Sequence, residues 1–353
     1  MNIEDKIRII KSSPSEEIVT DNELRNLLEN NSHPSHYIGI EISGPLHIGS
    51  LIINGFKIND FIKAGMHCKV FLADWHSYIN NKFGGDWNKI EQISKYYEEA
   101  FKFFCPGVEI VYGSNLYHNN NEYWKNVMHF TKKITLSRNV RCLTIMGRSE
   151  KDKLDFAQYL YPPMQAVDVK AMDLDIVHAG MDQRKVHMLL REVFPSLGWK
   201  KPVAIHHHLL PGLTRTERNV LNNDSIIDKR ITSKMSKSRA DTAIFIHDEP
   251  AEISAKIKKA WCPEKIIEDN PILEITKYII FHERKEILIE RPQKYGGSVT
   301  FTNYEELEKT YLENKLHPTD LKITVSEILE QIIHPIRKVF EKQSDLFKDL
   351  RVD

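Results

Sequence analysis

The chain has 353 residues, 41% of them apolar and 28% charged, with 49 basic and 49 acidic residues and a formal net charge of zero. That length accommodates two domains with a buried core each, and neutrality excludes a uniformly basic nucleic-acid binder, so any nucleic-acid contact must come from local patches. Four cysteines without CxxC pairing, Cys68, Cys105, Cys142 and Cys262, exclude a zinc ribbon or a disulfide framework and point to a reducing cytoplasm, while the charged, helix-patterned start MNIEDKIRIIKSS and the lack of an apolar run of spanning length point away from secretion and the membrane.

In chain order, a helix start is predicted at Thr20-Asp21, with apolar positions at helical spacing up to about residue 30, followed by a short apolar strand over 37–42. This strand runs into SGPLHIGS, residues 43–50, and then into the helical pattern Leu46, Ile48, Leu51, Ile52, Phe56, Ile58. A strand that stops at Gly-Pro and restarts as a helix directs the N–H groups of the first turn at whatever lies above the sheet edge, which suits a phosphate. Gly44 and Gly49 remove side chains where a ligand approaches the backbone, and His47 adds a donor at the positive end of the helix dipole.

A second strand over 68–73 ends in Asp74-Trp75-His76, and a helix over about 86–104 and a strand over 108–112 come next. The alternation predicts an α/β fold with a parallel sheet, whose ligands bind beyond the carboxyl ends of the strands. Helical patterns over 121–135 and 153–170 precede the apolar Ile176-Val-His; the stretch 179–184 opens another helix through Phe194, and a strand over 203–207 follows. The consecutive His206, His207 and His208 alternate between faces and cannot converge on one ion, so packing and surface roles are expected and no metal site. Beyond about Ala240 the pattern is helical over 250–261, 272–281, 304–314 and 318–341, which predicts a separate helical domain.

SKMSKS, residues 233–238, lies in polar, turn-prone surroundings and reads as a loop. Two lysines three residues apart on such a loop can fold over a triphosphate and neutralise the charge that builds as pyrophosphate leaves. A solvated basic loop is the alternative when the segment is read alone.

Together, the glycine-rich turn after the first sheet strand and KMSKS ahead of a helical C-terminal domain resemble the class I aminoacyl-tRNA synthetases. Within that class the chain is most similar to tyrosyl-tRNA synthetases of archaeal and eukaryotic type, through YIGIEISG (37–44), LADWHSY (72–78), YPPMQAVD (161–168), GMDQRK (180–185), PGLT (211–214) and LHPTDLK (316–322). The resemblance implies a Rossmann-like catalytic domain over 1–239 and a smaller all-helical anticodon-binding domain over 240–353. It also implies L-tyrosine, ATP and tRNA(Tyr) as partners, a homodimer, and no editing domain. Magnesium would arrive with ATP, since no dedicated carboxylate cluster stands out, and no prosthetic group is expected.

By the same resemblance Tyr37 and Asp168 hydrogen-bond the substrate's phenol, with Gly39 and Glu41 on the same strand as Tyr37 counted in the tyrosine site. An ionised carboxylate there would be left desolvated and unpaired if phenylalanine entered. Tyr161, Gln165 and Gln183 match the positions that hold the α-amino group. Asp182 matches the ribose-binding residue, and ATP contacts are expected from Gly44, His47, Gly49, Lys234, Met235, Ser236, Lys237 and Ser238, with His47, Lys234 and Lys237 as the catalytic groups. Ser50 stands where many class I enzymes have a second histidine, which shifts the expected work toward His47 and the lysines.

On the RNA side, the basic run between Lys132 and Lys153, with Arg138 and Arg141, is a candidate acceptor-stem surface. Arg184 and Lys185 match positions that read the first base pair; Tyr295 could stack on an anticodon base, and His317 and Asp320 lie in a segment where Asp320 could accept from a guanine edge. A solvated basic face and a plain helix start at Pro318 are the competing readings. Three rival functions stay open at this point: a tryptophanyl-tRNA synthetase, a non-activating RNA-binding paralogue, and another small-molecule nucleotidyltransferase.

Overall fold

A computed structural model describes residues 1–148, 152–215, 231–237 and 239–341. The chain forms two compact units, one from Met1–Ser43 with Lys57–His208 and the other from Gly44–Phe56 with Leu209–Asp353. This division falls upstream of residue 239 and gives the SGPLHIGS turn, from Gly44 on, to the same unit as the KMSKS segment.

The first unit is built on a six-stranded sheet: β1 (Ser15–Val19), β2 (Ser35–Glu41), β3 (His67–Ala73), β4 (Glu109–Tyr112), β5 (Ile176–Gly180) and β6 (Val203–His207), in the order β1-β6-β5-β2-β3-β4. All neighbours are parallel except the edge strand β1, which is antiparallel to β6. β5 and β6 are buried along their whole length, as a parallel sheet covered on both faces requires. The helix Trp87–Phe104 shows how the cover forms. Asp86 caps it by accepting from Lys89 N–H, and Ile90, Ile93, Tyr97, Ala100 and Phe101 recur at helical spacing on its buried side.

Differences from the sequence reading have local causes. β1 is short and reads Ser-Glu-Glu-Ile-Val, a polar edge strand with little periodicity, and it precedes a helix whose start at Thr20 is a full capping box with Glu23. The span 121–135 divides because Asn121–Thr131 ends and Thr135 caps a second helix, Leu136–Cys142. The span 153–170 divides because Pro162 and Pro163 start a new helix, Tyr161–Ala171, after the 3-10 turn Phe156–Leu160; proline suits a first turn, where its missing N–H is not needed.

The consecutive histidines pack as expected but none lies on the surface. His207 Nδ1 contacts His178 Nε2 at 2.8 Å, His206 bridges His187 (3.1 Å) and Glu17 (2.8 Å), and His208 meets Glu16 at 2.5 Å. Burial holds His207 at about 3 and His178 and His187 well below the ordinary imidazole value, so these rings pack as neutral groups.

In the second unit, Pro250–Lys259 packs along the long helix Pro318–Phe340. Buried Arg337 donates to the Asp248 carbonyl at 2.5 Å and pairs with Glu330. The expected all-helical domain needs one correction: β7 (Ile287–Ile289) and β8 (Val299–Phe301) form an antiparallel pair. Three-residue strands are too short for an alternation to show.

Candidate active site

In the first unit the tyrosine-site residues converge. β2 carries Tyr37, Gly39 and Glu41, and the helix Tyr161–Ala171 carries Tyr161, Gln165 and Asp168. Asp168 is 1% exposed, and its Oδ1 accepts from Tyr117 (2.9 Å) and Tyr123 (2.8 Å). Its Oδ2 has no hydrogen-bond partner among the described residues; His76 Nε2 stands 3.7 Å away. Burial pushes the Asp168 carboxyl up to about 8, opposed by the two tyrosine hydroxyls and reinforced by the charge of Asp74. Burial holds His76 down at about 3. The pair is therefore a neutral ring beside a carboxyl whose charge is costly, and no ion pair forms between them.

The Tyr37 phenol is fully buried, and burial followed by the nearby Asp168 charge raises it above its ordinary value. This coupling joins the two residues expected to read the phenol. Gly39 leaves room for Tyr37 itself: a Cβ at Gly39 would lie 3.3 Å from the Tyr37 hydroxyl oxygen. Gln165 donates to Gln183 Oε1 at 3.1 Å, Gln183 donates to the Ile145 carbonyl at 2.9 Å, and Gln165 Oε1 is a second buried acceptor without a partner among the described residues. Glu41 is held by Tyr161 (3.3 Å), Asn80 (2.7 Å) and Lys82 (3.2 Å).

Two unsatisfied acceptors three residues apart thus lie on one helix face. They complement a molecule with a hydroxyl donor and an ammonium donor. Asp182 stands in the turn Met181–Gln183 at the carboxyl end of β5, and its charge favours protonation of His207.

In the second unit the turn and the KMSKS segment meet. Gly44 has φ +116°, and a Cβ there would lie 3.6 Å from the Lys237 side chain, so the lysine stem runs over the glycine. Phe245 forms an antiparallel bridge with His47, and Pro211 does so with Lys234; Met235 N–H donates to the Leu210 carbonyl at 2.7 Å. His47 is buried, and burial, then Lys237 and Lys234, hold it at about 3. Its Nδ1 accepts from Gly49 N–H at 3.1 Å, which places the proton of the neutral ring on Nε2.

The expectation of unbonded N–H groups at this helix start is revised. Ile48 N–H donates to the Ile244 carbonyl, Ser50 N–H to the His47 carbonyl and Gly49 N–H to the His47 ring. Ser50 is likewise committed: its hydroxyl accepts from His47 N–H and donates to the His47 carbonyl. The helix opens as a π-turn, Gly49–Ile53, a form often found at functional sites. The groups left at this turn that could meet an anion are His47 Nε2 and the lysines. Ser238, and residues 216–230 of the polar stretch before KMSKS, lie outside the described residues.

The RNA candidates fall in both units. Arg138 makes a two-point pair with Glu192 (2.7 and 2.5 Å), Arg184 binds Glu17 (2.8 Å), and Arg141 is exposed. Tyr295 is 61% exposed beneath Lys294. His317 caps the helix that Pro318 begins, and Asp320 is in its first turn, so the helix-start reading of this segment is correct as local structure. Residues that sequence reasoning missed are Tyr117, Tyr123, Asn80 and Lys82. The Asp-Trp-His cluster at 74–76 pointed to the pocket, but no spacing relates residues 117 and 123 to 168.

This combination, a parallel sheet with ligand groups at its carboxyl end plus a histidine-bearing turn under a lysine loop, is that of a class I nucleotide-activating enzyme. The family of tRNA synthetases class I (W and Y) matches residues 28–334, and the chain belongs to it. The tyrosine–tRNA ligase of Thermococcus kodakarensis is 43% identical over 99% of this chain and 98% of its own. Among solved structures, the Pyrococcus horikoshii tyrosyl-tRNA synthetase complexed with L-tyrosine superposes with a TM-score of 0.93 at 42% identity, covering 99% of this chain and 100% of that one. The Aeropyrum pernix tyrosyl-tRNA synthetase does so at 0.85 and 36% identity, covering 99% and 98%.

Proposed function

We infer that the protein is a tyrosine–tRNA ligase, which forms tyrosyl-adenylate from L-tyrosine and ATP and transfers the tyrosyl group to tRNA. The observation that supports the tyrosine reading best is the Oδ2 of buried Asp168 near Tyr37, which has no hydrogen-bond partner among the described residues. A substrate phenol donates to that oxygen, whereas phenylalanine leaves it desolvated. Tyrosyl-tRNA synthetases are the known case of this discrimination, about 10⁵ without editing, a value that belongs to that class of enzyme. Gln165, Gln183 and Tyr161 orient the ammonium, and neutral amides do so without trapping it in an ion pair. Tryptophan has a donor but no hydroxyl, and a site built for a phenol rejects it.

In the first step the tyrosine carboxylate attacks the α-phosphorus of ATP and pyrophosphate leaves. In the second, a hydroxyl of the terminal tRNA ribose attacks the adenylate carbonyl and AMP leaves. No enzyme nucleophile is needed, so the chain's contribution is positioning and charge stabilisation. His47 donates from Nε2 as a neutral group, and Lys234 and Lys237 neutralise the departing pyrophosphate, with Gly44, Gly49, Met235, Ser236 and Ser238 around the nucleotide. Asp182 accepts from the ATP ribose. Magnesium enters as part of the nucleotide substrate.

The remaining assignments are proposals of the same kind: a catalytic domain over 1–239, an anticodon-binding domain over 240–353, Arg184 and Lys185 at the first base pair, Arg138 and Arg141 on the acceptor stem, and Tyr295, His317 and Asp320 on the anticodon. Arg138 and Arg184 would exchange Glu192 and Glu17 for phosphate or base edges on binding. A homodimer in the cytoplasm is the expected working form; among the described residues no helix is long and apolar enough to cross a membrane. The test is charging: the protein with ATP and total tRNA should attach tyrosine alone to RNA, and no tyrosine-dependent charging would overturn the reading.

A further inference from the structure

Asp168 has an unusual task for a buried acid, because it has to accept a hydrogen bond in a place that disfavours its charge. It is 1% exposed, and burial together with Asp74 pushes its carboxyl up to about 8. His76 cannot compensate, being held neutral by its own burial. Among the described residues, the Tyr117 and Tyr123 hydroxyls are the groups that favour the charged form. Both act on the same oxygen, at 2.9 and 2.8 Å.

Their positions are over-determined. The two rings lie 4.5 Å apart, Tyr117 also packs on Phe71, and the Tyr123 hydroxyl reaches the Met164 carbonyl at 3.3 Å. Burial and the Asp168 charge raise both phenols well above their ordinary values, so each remains a donor. The other titratable groups facing this carboxyl are Tyr37 on β2, Tyr161 at the start of its own helix, and Asp74 and His76 on the short helix Asp74–Ile79. None of these donates to Oδ1 in the structure.

We propose that Tyr117 and Tyr123 are positioning residues for substrate selection: by saturating Oδ1 they draw Asp168 toward its ionised, accepting form and leave Oδ2 as the oxygen offered to the substrate phenol. The proposal rests on the reading of Asp168 as the phenol acceptor. It gives selectivity a second requirement. A protonated Asp168 would be a weaker acceptor for tyrosine and would carry no stranded charge when phenylalanine enters, so losing either donor should erode preference from both sides.

The test is tyrosine- and phenylalanine-dependent pyrophosphate exchange across about pH 6 to 9.5, for the wild type, Tyr117→Phe, Tyr123→Phe and Asp168→Asn. A hydrogen bond to a charged group corresponds to a shift of roughly one to two pH units. Each phenylalanine variant should therefore move the fall in tyrosine KM upward by about that much, raise KM near pH 7 by roughly tenfold with kcat little changed, and lower the preference over phenylalanine. The carbon-13 carboxyl signal of Asp168, identified by its loss in Asp168→Asn, should titrate at higher pH in both variants. An unmoved pH profile and an unmoved carboxyl titration in folded Tyr117→Phe and Tyr123→Phe would overturn the proposal. If Asp168→Asn itself keeps full preference for tyrosine, the underlying reading of Asp168 fails instead.

Discussion

The Asp168 pocket and the His47 turn solve opposite electrostatic problems. The pocket buries a carboxyl at 1% exposure, raises its proton affinity to about 8 and leaves one oxygen unmatched; the turn buries a histidine, lowers it to about 3 and satisfies its Nδ1 from within. Burial is the first cause in both. The comparison shows how one effect yields two functions: a costly charge rewards only the substrate that compensates it, whereas a suppressed charge leaves a neutral donor whose behaviour is independent of pH near neutrality. Partly exposed lysines supply the positive charge that His47 lacks.

The largest effect should come from the turn. His47→Ala should slow adenylate formation by roughly 10² to 10³-fold, as for loss of a transition-state donor, with little change in tyrosine affinity; single-turnover rates would show it, and wild-type rates would remove His47 from the chemistry. Next, Asp168→Ala should reduce the preference for tyrosine over phenylalanine by roughly 10 to 10²-fold and leave ATP binding nearly intact. Comparing KM for both amino acids with KM for ATP separates the two regions.

The pH dependence sharpens the contrast. Asp168 has a raised pKa, so the accepting, ionised form grows as pH rises through about 8, and tyrosine KM should fall by up to about tenfold per unit below that point. His47 has a depressed pKa of about 3, so its ring stays neutral and kcat should show no break from it between about pH 5 and 9. A break in kcat near pH 6.5 would mean that His47 titrates as an ordinary imidazole. The smallest effect belongs to the rim. Lys82→Ala removes a partly exposed partner of Glu41 at 3.2 Å and should change tyrosine KM by less than about fivefold, since such pairs are worth up to about 1 kcal/mol.

Much of this was legible in the sequence, and what was not has physical reasons. The strand at 203–207 and the helix start at Thr20 are local patterns, and both are present as read. Gly44 and Lys237 come from motifs far apart in the sequence, and the Lys237 stem runs over Gly44. The polar edge strand β1 and the pair β7 and β8 carry too little periodicity to be seen. The partners of Asp168 come from 51 and 45 residues upstream, a relation that only the packing of Gly113–Tyr117 on the sheet and of Asn121–Thr131 on the helix Tyr161–Ala171 creates. The committed N–H groups of the turn depend on Ile244 and on the rotamer of His47, neither of which a pattern of glycines discloses.

Selection of a phenol by one buried acid is tested most directly by pyrophosphate exchange with tyrosine, phenylalanine and tryptophan in turn, in the wild type and in Asp168→Asn. Activation of tyrosine alone by the wild type, with phenylalanine admitted by the variant, is the expected result. Comparable wild-type exchange with phenylalanine or tryptophan, or a variant that still refuses phenylalanine, would contradict it.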